Sequence, residues 1–208
     1  MRYDTQEHAA AVAHGHATTM GLDSRKMAFW AFIGSECLLF GSLISTYLIY
    51  KGRSLTGPYP HEILNIPFTS FSTFDLLMSS LAMVLALAAV QRGDMKQGKL
   101  WLLITALLGM VFLGGQVWEF SHFYHEGLGL TTNLFGSTFY VLTGTHGAHV
   151  TVGVIWLLTL WVQALRGKLG PANAMTVEIT GLYWHFVDVV WIIIFTVVYL
   201  IPTAPGAK

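Results

Sequence analysis

Five stretches of this chain are long, apolar and almost free of Asp, Glu, Lys and Arg. Residues 27–50 hold only Glu36, 68–90 only Asp75, 100–118 and 135–165 none, and 179–201 only Asp188. About 20 apolar residues at 1.5 Å rise cross the hydrocarbon core of a bilayer, so each stretch is long enough to span one. The runs are continuously apolar, whereas a lipid-facing barrel strand alternates over about 10 residues; helices satisfy their own backbone in lipid. The expected fold is therefore an all-α membrane protein, a bundle of five transmembrane helices. Only 11% of residues are charged, against about 25% in a soluble domain, so lipid is the main solvent.

The organisation expected is a loosely ordered, His-containing tail over 1–26 with His8, His14 and His16, a transmembrane domain over 27–201, and a short tail over 202–208. The first 26 residues lack an apolar stretch, so no cleavable signal peptide is expected and the first span serves as insertion signal. Loops 51–67, 91–99, 119–134 and 166–178 carry turn residues such as Gly57-Pro58, Arg92-Gly93-Asp94, Gly127 with Gly129, and Gly170-Pro171, and none is long enough for a separate domain. Lys and Arg fall unevenly on the two sides. Arg2, Arg25, Lys26, Arg92, Lys96, Lys99, Arg166 and Lys168 share one, while Lys51, Arg53 and Lys208 share the other. The positive-inside rule then puts the N-terminus in the cytoplasm and the C-terminus in the periplasm.

A net charge of zero argues against a nucleic-acid partner, which wants a basic patch. Cys37 is the only cysteine, which excludes an intrachain disulfide, a cysteine-cluster metal site and a two-cysteine copper centre. No internal repeat and no matching pair of Gly/Pro-broken helices is visible, which lowers a stand-alone transporter reading. Thr143, Gly147 and Thr151, four apart, are small enough for a neighbouring backbone to approach.

Ionisable groups inside a membrane cost about 2.5–3.5 kcal/mol each on the insertion scale, so each needs a partner or a task. Counted from the span ends, Glu36, His149, His185 and Asp188 fall in the middle third of the bilayer, on three helices. His146 and His149 are three apart, as are His185 and Asp188, and Glu178 precedes His185 by seven on the same stripe, so each set shares a helix face. Trp184 and Trp191 flank that stripe; their indole N–H groups need acceptors, and Asp188 is the expected one. Three readings compete for this constellation: a structural lock, a heme or metal site, and a proton path. Pairing comes first for intramembrane polar groups, and three intramembrane histidines make a poor heme site. Gln116 and Glu119 beside Trp118 read as interfacial anchors at the outer membrane face, whereas Asp75 has no evident partner.

The stretches WAFIGSECLLFGSLISTY at 30–47, GGQVWEF at 114–120, TGTHGAHVTVGVIW at 143–156 and YWHFVDVVWIIIFTVVYL at 183–200 closely resemble subunit III of the heme-copper terminal oxidases. The likeness runs over residues 27–201, in the five-span form that lacks the first two helices of the seven-span mitochondrial type. It looks most like the bo-type (cytochrome o) ubiquinol oxidase subunit, with a cytochrome c oxidase subunit III as alternative. The resemblance implies a bacterial inner-membrane subunit with no cofactor of its own, bound to a subunit I that holds hemes and copper. Subunit II and a small subunit IV are the further partners implied, together with phospholipid in a cleft near the carboxylate at Glu36. The family's role would be to support assembly and sustained proton or oxygen supply. Glu36, His149, Glu178, Trp184, His185 and Asp188 fall on the family's pattern; Asp75 departs from it.

Overall fold

The computed structural model describes residues 23–54 and 65–201. The His-containing tail, the Gly57-Pro58 turn and the C-terminal tail lie outside the described residues. Helices α1 (Ser24–Tyr50), α2 (Ile66–Gln91), α3 (Met95–His125), α4 (Leu134–Leu165) and α5 (Ala174–Phe195) follow in order. A 3₁₀ turn, Pro171–Asn173, leads into α5, and a π-turn, Thr196–Leu200, continues it. All five spans are long and apolar enough to cross a membrane.

Polar residues beyond the apolar stretches set the helix starts. Asn65, Asp94 and Asn133 each accept a hydrogen bond from the backbone N–H three residues on, that of Phe68, Gln97 and Gly136, which satisfies an orphan donor of the first turn. The Asp94 cap starts α3 five residues before the apolar run at residue 100, and α3 runs on to His125. The helix ends are equally local: α1 to α4 each stop two residues before a glycine of positive φ, Gly52, Gly93, Gly127 and Gly167. Beyond the last three, the N–H of Asp94, Leu128 and Lys168 reaches back to the carbonyl of Ala89, Phe123 and Gln163, the six-to-one closure that a left-handed glycine permits.

The chain divides into two compact units at Leu39/Phe40. The described part of the first is Asp23–Leu39, most of α1, with Trp30 and Leu38 strongly exposed. In the second, α2 packs on α3 and α5, and α4 packs on the same two, so the four helices close a ring in the order α2, α3, α4, α5. The end of α1 adds Phe40 and Tyr47 to this unit, both buried. Met83, Leu102, Phe112, Phe139, Leu157 and Trp184 are buried between the helices, while Phe71, Val111, Val152 and Ile155 face outward. In lipid such a ring is held by close packing and interhelical hydrogen bonds rather than by the hydrophobic effect. Trp184 is closely packed on two sides. A Cβ built on Gly109 of α3 would come within 2.6 Å of its ring, and one on Gly153 of α4 within 2.8 Å, so the two glycines make room for the indole.

Candidate functional site

The stripe on α5 meets a row of hydroxyls on α2. Trp184 Nε1 donates to Ser79 Oγ at 2.9 Å and Trp191 Nε1 to Thr73 Oγ1 at 3.0 Å. Asp188 therefore does not accept from either indole, contrary to the sequence expectation, because α2 offers acceptors opposite both rings. Asp188 instead accepts from Ser80 Oγ through Oδ2, and His185 Nδ1 lies 2.9 Å from the same hydroxyl. His185 and Asp188, adjacent on one helix face, are thus joined through a third residue on another helix. The order of the three matters: in a hydrolytic triad the imidazole stands between serine and carboxylate, whereas here the serine stands between the other two.

The two histidines of α4 have different surroundings. His146 is fully buried, stacked on Trp191 with centroids 4.9 Å apart and edge-on to Phe112 at 5.9 Å and Phe40 at 6.4 Å. His149, one turn on, is half-buried, with Nδ1 2.8 Å from its own helix at the Thr145 carbonyl and Phe40 against its ring. Among the described residues no three His, Cys, Asp or Glu side chains gather where they could hold one metal ion.

Gln116 and Glu119 turn inward, towards the neighbouring helices. Three residues apart on α3, they share its buried face at 8% and 5% exposure, while Trp118 between them is 53% exposed; a 100° step per residue separates the two faces. Gln116 Nε2 donates to the Thr143 carbonyl at 2.7 Å and the Gln116 amide lies against Gly147, so the small-residue stripe of α4 admits a side chain of α3. Glu119 Oε1 accepts from Thr69 of α2 and from Tyr199 in the π-turn, each at 3.0 Å. Lys51, just past α1, donates to the carbonyls of Val197 at 2.7 Å and Ile201 at 2.6 Å, and burial pushes its ammonium group below the usual lysine range.

Glu36 is half-buried in the first unit; Glu178, the fifth residue of α5, is half-buried. Asp75 is buried on α2, and its Oδ2 has no hydrogen-bond partner among the described residues. Sequence reasoning missed Thr69, Thr73, Ser79, Ser80, Tyr199 and Lys51 as partners. A signal was present: Thr69, Thr73 and Ser80, spaced four and seven apart within an apolar span, form a hydroxyl stripe of helical period.

Assembled, these contacts tie α2 to α3 and α5, and α3 to α4, by hydrogen bonds inside the membrane. The family model for cytochrome c oxidase subunit III matches residues 3–202 of the chain. The cytochrome c oxidase subunit 3 of Bacillus sp. (strain PS3) is 43% identical over 94% of this chain and 94% of its own length. The quinol oxidase subunit 3 of Bacillus subtilis is 42% identical over 84% of this chain and 85% of its own. A probable quinol oxidase subunit 3 of Staphylococcus saprophyticus is 42% identical over 85% and 88%. With five spans and a match along almost its whole length, this multi-pass bacterial membrane protein is a subunit III of a heme-copper oxidase and belongs to the cytochrome c oxidase subunit III family.

Proposed function

We propose that the chain is the non-catalytic third subunit of a proton-pumping quinol oxidase of the bo type. In this reading hemes and copper reside in subunit I, its main contact; subunit II and a small subunit IV complete the complex, and phospholipid binds near Glu36. The observation that carries it is the engagement of four membrane-embedded polar side chains across helices. Glu119, Asp188, His185 and Gln116 each bond a hydroxyl or carbonyl of a neighbouring helix, which is what a structural lock requires. Its contribution to turnover is then indirect, through assembly, lipid occupancy and the supply of protons or oxygen to the partner.

The quinol assignment is supported by relatives named quinol oxidase subunit 3; cytochrome c as donor is the second reading, favoured by the Bacillus PS3 relative. The uneven distribution of Lys and Arg supports an N-terminus in the cytoplasm of a bacterial inner membrane. Purifying the chain with everything that co-migrates, then recording a redox spectrum and oxygen uptake with quinol and with cytochrome c, tests all of this in one preparation. The expected result is heme in the complex, none on the chain freed from it, and uptake driven by quinol. Stoichiometric heme on the isolated chain would sink the accessory reading.

A further inference from the structure

Over residues 74–84 of α2 and 185–193 of α5 the outer surface is apolar except at one place. On α2, Leu77, Leu81 and Val84 surround Ser80 and are 41%, 53% and 50% exposed; on α5, Val189 and Ile192 follow His185 by four and seven residues and are 54% and 40% exposed. Such spacings share a helix face, so Ser80 and His185, both half-buried, interrupt an outward apolar groove. His185 lies eleven residues into α5, about 16 Å along it at 1.5 Å per residue, which is near the midplane of a core about 30 Å thick.

The direction of the hydrogen bonds fixes what His185 offers there. Against an ionised Asp188, Ser80 gives its one hydroxyl proton to Oδ2 and accepts from His185 Nδ1. The ring proton is then on Nδ1, and Nε2 carries a lone pair. Asp188, buried behind the groove, holds this tautomer through Ser80, as outer carboxylates do for oriented imidazoles. Among the described residues nothing donates to Nε2. Acyl chains at this depth have no donor to offer. A second copy meeting this groove about a two-fold axis would set the same acceptor against itself.

We propose that the α2/α5 groove seats a transmembrane helix of another oxidase subunit, which brings a hydrogen-bond donor, hydroxyl, amide, indole or cationic, to His185 Nε2 at mid-membrane. This rests on the reading that the chain works inside an oxidase complex. The test uses membranes holding the whole complex, with a benzophenone amino acid placed singly at Val189 or Leu81, and at Ile155 of α4 or Val111 of α3 as outward-facing controls. Val189 and Leu81 are expected to yield adducts with another oxidase subunit. In parallel, His185→Leu should weaken retention of the chain through detergent extraction by roughly three-fold, the effect of one interhelical hydrogen bond in a membrane, and His185→Gln, which keeps an acceptor, should restore it. Adducts with lipid or a second copy from Val189 and Leu81, while Ile155 or Val111 captures an oxidase subunit, overturn the groove assignment and leave the proposed function standing. Capture of no oxidase subunit from any of the four positions, with no heme co-purifying, overturns both.

Discussion

Single atoms decide much of this bundle's stability. A methyl group added at Gly109 or Gly153 runs into the Trp184 ring, whereas one added at Gly144 meets nothing within 4 Å. Overpacking a well-filled interior costs about 1–3 kcal/mol, so Gly109→Ala and Gly153→Ala should each lower the thermal midpoint of the detergent-solubilised chain, and Gly144→Ala should leave it unchanged. Equal shifts in all three would show that the indole does not lie between those glycines. Glu119 supports a second comparison. Tyr199→Phe removes one donor from its carboxylate, a loss of about 0.6 kcal/mol for an average membrane hydrogen bond. Glu119→Leu instead leaves the buried Tyr199 hydroxyl without its acceptor and should cost more, about 1–3 kcal/mol. A chemical unfolding series on the two variants checks the order, which reverses if Tyr199 finds another acceptor.

At the scale of helices, α5 depends on a clamp from the far end of α1. The π-turn leaves the carbonyls of the last residues without the regular α-helical partner, and Lys51 takes those of Val197 and Ile201. Lys51→Met should therefore speed backbone hydrogen exchange at residues 196–201 several-fold while leaving exchange at 180–190 unaltered; uniform acceleration along α5 would show a global role instead. This clamp also marks where the sequence stops being legible. The number of helices, and which loops turn, follow from apolar runs and from Asx and glycine signals that act within four or five residues. Cross-helix pairings do not: nothing local to Asp188 says that Ser80 rather than Trp191 is its partner, because that depends on the rotation of α2 about its axis. The inward facing of Gln116 and Glu119 was not legible for the same reason, since it too depends on the rotation of a helix about its axis. The π-turn that brings Tyr199 to Glu119 has no sequence signature of its own.

For the whole molecule, Glu36 tests the accessory role. It is half-buried near the middle of α1 and is the single acidic residue of that helix, and the proposed function places redox chemistry in a partner. Glu36→Ala should leave the first minute of oxygen uptake by the assembled complex nearly intact and hasten its later decay. Immediate loss of turnover at normal subunit content would put Glu36 on the catalytic path. A different consequence follows from Trp184, which touches Gly109 of α3 and Gly153 of α4 and is hydrogen-bonded to Ser79 of α2. Ribosomes make a chain from its N-terminus, so Trp184 appears after the three helices that it joins. Until it arrives, the two glycine surfaces and the Ser79 hydroxyl have nothing between them, and the ring is an open fence of three posts. Locking of the bundle thereby waits on α5: α2, α3 and α4 can insert earlier, but they close around the indole only once α5 has been released into the bilayer.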